Sequence, residues 1–147
     1  MKKTEPAPSR RHFLKTTTAA TAAGALALPS VSLGKPDSRK LKLGWVGCGG
    51  RGSGAINQAL TADSNVQLWA IGEAFKDKAD AGLERIKKIH PGKVDVDPKR
   101  IHVGLDAYQK VIDSGVDVVI LTTPPGFRPM HIKAAVDAGK HVFAEKP

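Results

Sequence analysis

The chain has 147 residues, 25% of them charged and 41% hydrophobic, and its 23 Lys and Arg against 14 Asp and Glu give a formal net charge of +9. That length suits one domain with a real core beside a short targeting segment. Cys48 is the only cysteine, so an intramolecular disulfide and a multi-thiolate metal site within the chain are both excluded, and no metal is expected.

The charge is unevenly spread. Residues 1–34 hold five Lys and Arg against one Glu, which leaves +5 for the remainder. There the cations mingle with acids, as in Lys76-Asp77-Lys78-Ala79-Asp80 and Glu84-Arg85-Ile86-Lys87-Lys88. Interspersed signs read as solvated helix faces, and one Tyr with four Phe offers little for base stacking. Nucleic acid is not an expected partner.

Near the start stands Ser9-Arg10-Arg11-His12-Phe13-Leu14-Lys15, followed by an uncharged Ala- and Thr-rich run over residues 16–28. At 13 residues the run falls short of the ~20 that span a bilayer core. Ala25-Leu26-Ala27 supplies a small-residue cleavage site. The string resembles the twin-arginine export signal, S/T-R-R-x-F-L-K, at every specified position. The resemblance implies a partnership with the twin-arginine translocation machinery and passage of a folded protein to a periplasmic or other extracytoplasmic location. Residues 1–34 are read as signal and linker, and residues 35–147 as the folded domain.

Residues 41–46 predict a first strand ended by glycines, and residues 53–62 a helix with Ala55, Ile56, Ala59 and Leu60 on one face. Residues 66–71 form a second apolar strand. A longer helix over about 75–89 places Ala79, Leu83, Ile86 and Ile89 at helical spacing until His90-Pro91-Gly92 stops it. Residues 93–100 read as a polar, irregular surface excursion, and residues 101–103 as a short strand. A helix follows over 107–114, with Asp106 and Gln109 as a capping box and Gly115 at its end. Residues 116–121 are nearly continuous in β-branched side chains, as expected of a strand covered on both faces. Pro129 fits the first turn of a further helix with Ile132, Ala135 and Val136 as its buried face; Gly139 closes it, and residues 141–144 are the last strand. Strand and helix in alternation predict an α/β fold, a doubly wound, mostly parallel, Rossmann-like sheet. Because the sequence ends directly after a strand, the domain is expected to be incomplete.

Gly47-Cys48-Gly49-Gly50-Arg51-Gly52 matches G-x-G-x-x-G between the first strand and the first helix, the context in which the pattern has mechanical meaning. Gly47 permits a tight turn, Gly49 lets a pyrophosphate approach the backbone beside Gly50, and Gly52 lets helix and strand pack closely. Arg51 either adds charge near the phosphates or points to solvent. Glu73 lies 21 residues after Gly52, near the ~20 expected for an acid that accepts hydrogen bonds from an adenosine ribose. A carboxylate there favours NAD over NADP, with Lys76 as a nearby counterweight.

Toward the end, Leu121-Thr122-Thr123-Pro124-Pro125-Gly126 and Ala138-Gly139-Lys140-His141-Val142-Phe143-Ala144-Glu145-Lys146-Pro147 complete a pattern. Together with the glycine loop they resemble the Gfo/Idh/MocA oxidoreductase family over about residues 40–147. The resemblance implies that Thr122, Thr123 and Pro124 flank the nicotinamide ribose. It implies that Glu145 and Lys146 belong to an E-K-P motif whose lysine, the catalytic candidate here, lies beside nicotinamide and substrate. Two departures stand out: Pro125 replaces an Asn, and Arg128 occupies a histidine position. There Arg128 could grip a phosphate, favour an anionic substrate, or lie in solvent. His131, farther along the helix, is read as packed or solvated rather than catalytic. The implied activity is hydride transfer between NAD and a sugar- or polyol-like carbinol, with an NAD-dependent glycosidase or a non-catalytic NAD-binding fragment as alternatives. The family's remaining active-site residues belong to a C-terminal domain, so this chain alone is expected to turn over little; a complete protein is compatible with a homo-oligomer.

Overall fold

The computed structural model describes residues 39–146; the export signal lies outside the described residues. Leu41–Val46 (β1) leads through the glycine loop into Gly50–Ala62 (α1), then Val66–Glu73 (β2), Lys76–Ile89 (α2), a 3₁₀ turn at Pro98–Arg100, and Ile101–Val103 (β3). Ala107–Asp113 (α3), Val118–Leu121 (β4), Arg128–Asp137 (α4) and His141–Ala144 (β5) follow. The five strands form one parallel sheet in the order β3-β2-β1-β4-β5. This is the doubly wound α/β arrangement, with its topological switch between β1 and β4, where a crevice opens beyond the strands' carboxyl ends.

Two apolar layers cover the sheet. On one face Trp45, Leu68, Ile71 and Ile120 pack against Ile56 and Leu60 of α1 and Ala79, Leu83 and Ile86 of α2. On the other, Val46, Ala70, Val119 and Leu121 meet Val111 and Ile112 of α3 and Ala135 of α4. A bulge between Leu43 and Gly44 in the β1–β2 register leaves Trp69 without a partner on β1. Trp69 and Ala70 consequently both face the second layer, and the normal alternation resumes at Ile71.

Four local expectations change. Asp106 does not cap α3: its backbone is helical (φ −89°, ψ −1°), its carboxylate pairs with Lys110 at 2.9 Å, and Gln109 donates to Asp113. The chain reaches α3 through Gly104 (φ +119°), which turns Asp106 toward the next helical turn instead of the orphan amides. On α4 the buried positions are Arg128, His131 and Ala135, while Val136 is exposed and Ile132 half-buried. Apolar residues are scattered round this helix, so periodicity alone could not identify the inner stripe. Residues 93–100 are less irregular than expected: Val94 bridges Leu68, and Arg100 stacks 3.5 Å from the Trp69 ring and donates to the Trp69 carbonyl. Finally, β4 begins at Val118; Asp117 just before it still bonds Lys42 and His141 through its backbone, and its carboxylate takes the Lys42 amide at 2.8 Å.

Candidate functional site

A cavity of about 600 Å³ opens at the carboxyl ends of β1, β2 and β4. Its floor is the glycine loop. Gly47 has φ +94° and donates to the Gly72 carbonyl at 2.9 Å, the tight turn that ends β1. Around the ideal Cβ positions of Gly49 and Gly50 there is no atom within 4 Å, so side chains there would fill the cavity. Gly52 is the reverse: a Cβ would lie 2.0 Å from the Gly47 carbonyl oxygen, 2.6 Å from Thr122 Oγ1 and 2.7 Å from Trp45 Nε1. α1 starts with no side-chain cap and no acid in its first turn, and its first intrahelical bond runs from Ser53 N to Gly49 O at 2.9 Å. The amides of Gly50, Arg51 and Gly52 precede that bond, and with the helix dipole they suit an anion.

Glu73 ends β2 on the cavity wall. One carboxylate oxygen accepts the Cys48 amide at 2.6 Å and the other the Ala74 amide at 2.8 Å, so the acid joins the glycine loop to the β2–α2 turn. Burial and the Glu73 charge push the Cys48 thiol far up, which keeps it protonated; the site uses the backbone of Cys48 and not its sulfur.

At the other end, the Thr122 hydroxyl lies 2.7 Å from the Gly47 carbonyl and 3.0 Å from that of Val46, bracing the loop from behind. Thr123, Pro124, Arg128 and Glu145 line the wall. Arg51 reaches across to pair with the Glu145 carboxylate, which also accepts the Lys146 amide at 3.1 Å. That amide, then Arg51, holds the Glu145 carboxyl below its usual range. Lys146 itself is exposed and lies outside the cavity lining. The structure therefore gathers every sequence-predicted position except the Lys146 side chain around one cavity. Reading the sequence missed Phe75, Leu105, Tyr108 and Phe127 as wall residues. Phe75 and Leu105 are 65% and 72% exposed, and an apolar residue just after Glu73 was the available signal.

His131 is buried, stacked on Tyr108 with ring centroids 4.1 Å apart, and its Nδ1 lies 3.2 Å from Thr123 Oγ1. Burial lowers its pKa from the ordinary 6.5. His102, on β3, is lowered chiefly by burial and then by Lys110. A depressed histidine means the unfolded chain binds the proton first, so stability falls as pH drops below about 6.5. The urea midpoint is expected to decrease between neutral and mildly acid pH, and to decrease less in His131→Phe. Equal slopes in both proteins would remove His131 from the explanation.

With this geometry in place, comparison with known proteins is decisive for the family. Residues 41–147 match the oxidoreductase family with an NAD-binding Rossmann fold, Gfo/Idh/MocA. The chain belongs to that family. Residues 7–27 match the twin-arginine translocation signal, which supports export by that pathway. A curated relative, the α-N-acetylgalactosaminidase of Shewanella oneidensis, is 30% identical over 159 residues, covering 94% of this chain and 33% of that protein. Apo scyllo-inositol dehydrogenase from Lactobacillus casei superposes with a TM-score of 0.58 at 27% identity, over 75% of this chain and 29% of that one. A 3-ketoreductase from Actinomadura kijaniata, solved with NADP, gives a TM-score of 0.55 at 27% identity, over 74% and 31% of the two chains. The chain spans about a third of the length of the curated relatives it matches. Among the described residues no helix is long and apolar enough to cross a membrane, and no cluster of three or more His, Cys, Asp or Glu is placed to hold a metal.

Proposed function

We propose that the chain is the nucleotide-binding part of an exported, NAD-dependent enzyme that moves a hydride to or from a sugar- or polyol-like carbinol. The observation that carries this reading is the open space over Gly49 and Gly50, bounded by uncapped helix amides on one side and Glu73 on the other. A dinucleotide fits that cradle. The amides at residues 50–52 would hold its diphosphate, and the Glu73 carboxylate would accept from an adenosine ribose hydroxyl. The exposed faces of Phe75 and Leu105 offer apolar surface to the purine. A 2′-phosphate would meet the negative charge of Glu73, which favours NAD.

Bound nicotinamide supplies the hydride acceptor at its C4 atom. The protein's part is to hold donor and acceptor carbons together and to stabilise charge on the substrate oxygen. Lys146 suits the second role, because an ammonium would donate a hydrogen bond to the oxygen while it bears negative charge. Lys146 directly follows the wall residue Glu145, and its side chain is exposed just outside the lining.

The α-N-acetylgalactosaminidase relative favours a second reading on the same scaffold. On this reading bound NAD would supply only a transient oxidation of the sugar, and the net reaction would be hydrolysis of the glycoside with no NAD consumed. Redox balance separates the two. Incubated with NAD and a panel of sugars and aryl glycosides, an oxidoreductase accumulates NADH in step with oxidised product. A glycosidase releases the aglycone with no net NADH. In the full-length protein, binding without either reaction would leave a nucleotide-binding module alone; the present chain by itself is expected to turn over little. Lys146→Ala is expected to slow whichever reaction is found by about 10²-fold or more, with NAD affinity nearly retained; an unchanged rate would exclude Lys146 from the chemistry.

A further inference from the structure

Arg128 begins α4 and is only 9% exposed, an unusual place for a guanidinium. Its hydrogen bonds go to main-chain carbonyls and not to a carboxylate. Nε donates to the Thr123 carbonyl at 2.7 Å, and Nη1 donates to the carbonyls of Glu145 and Lys146. These three acceptors sit on two different segments, the turn after β4 and the stretch after β5. Among the described residues β5 is an edge strand, and the stretch after it has a strand neighbour on one side only. The last ladder-like bond there is Glu145 N to Leu121 O at 3.0 Å. Past that bond, the Glu145 carboxylate takes the Lys146 amide at 3.1 Å, and the Arg128 fork ties the carbonyls of residues 145 and 146 to the turn after β4. Arg51 also reaches this stretch, but its side chain is 51% exposed and it grips the Glu145 carboxylate rather than a main-chain carbonyl.

We infer that Arg128 is a positioning residue that sets the Glu145–Lys146 backbone against the Thr123–Pro124 turn and so shapes the nicotinamide half of the cofactor site, a role that rests on the nucleotide-binding reading above. The adenosine diphosphate half is built chiefly by the glycine loop and Glu73, to which Arg128 makes no hydrogen bond. Three of the guanidinium's five N–H donors go to these carbonyls, which ties the two segments together. A planar fork can serve two segments at once, whereas a lysine ammonium acts as a single point.

The test compares ADP, which lacks the nicotinamide half, with NAD, by calorimetric titration of the wild-type protein, Arg128→Met and Arg128→Lys, with circular dichroism to verify folding. Arg128→Met is expected to weaken NAD binding by about tenfold or more and to change ADP binding by less than about threefold. Arg128→Lys should show the same selectivity, and it decides the matter if the Met variant does not fold. Equal losses for ADP and NAD in a folded variant would mean direct contact with phosphate and overturn the inference. Unchanged affinities for both would overturn it too, and failure of both variants to fold would reduce Arg128 to a structural role. Wild-type protein that binds neither ADP nor NAD would instead remove the nucleotide-binding reading itself.

Discussion

Gly52→Ala is expected to lower the melting temperature by on the order of 10 °C or more, while Gly49→Ala shifts it by no more than about 3 °C yet weakens NAD binding at least about tenfold. The chemical change is the same methyl in both. At residue 52 it would sit 2.0 Å from a backbone oxygen, and that oxygen belongs to Gly47, whose own amide is tied to Gly72 O at 2.9 Å. Nothing flexible can yield, because the other neighbours, Thr122 Oγ1 and the buried Trp45 indole, are themselves packed. Overpacking of this kind costs about 1–3 kcal/mol and sometimes more, a large share of the ~5–15 kcal/mol that holds a domain together. At residue 49 the methyl meets no atom within 4 Å, and φ −69° with ψ −173° is backbone that alanine adopts freely. The cost there falls on the ligand, which would be pushed off the helix amides. A Gly49→Ala protein that binds NAD as tightly as wild type would show that the diphosphate does not lie over this loop.

The second large effect is expected at Glu73. Its carboxylate already accepts the amides of Cys48 and Ala74, and a ribose hydroxyl would donate to the same group. Hydrogen bonds to a charged partner are worth about 1.5–3 kcal/mol each. Glu73→Ala should therefore weaken NAD by roughly 30- to 150-fold at about 2–3 kcal/mol, part of it through the slackened loop. It should also remove the repulsion of a 2′-phosphate, so that the NAD-to-NADP preference shrinks toward parity. Glu73→Gln keeps the shape and one acceptor oxygen but sets an NH₂ against a backbone amide; an intermediate loss is expected. Titration of both nucleotides into the three proteins checks this, and a coenzyme preference unmoved by Glu73→Ala would contradict the assignment.

The strand–helix alternation could be read from the sequence because each element carries a strong local signal. Residues 41–46 and 118–121 are apolar runs bounded by glycine or threonine turns, and α1 and α2 carry apolar stripes at helical spacing. What could not be read depended on tertiary partners. Asp106 looks like a cap until Lys110, one turn along, competes for its carboxylate. Val136 looks like core until the stacking of His131 on Tyr108 rotates a different stripe of α4 inward. At the site, the glycine loop and Glu73 were recognisable because their spacing follows from the path of one strand–helix–strand unit. Arg128 was visible as a position but not as a tether, since its acceptors lie on chain 5 to 18 residues away and are backbone atoms that carry no sequence signature.

A crystal structure with NAD bound is the most direct check on the proposed site. The expected result places diphosphate oxygens within hydrogen-bonding distance of the amides at residues 50–52, an adenosine ribose hydroxyl on the Glu73 carboxylate, and the nicotinamide ring beside Thr123 and Lys146. A diphosphate lying away from the glycine loop, or a nicotinamide out of reach of Lys146, would contradict it.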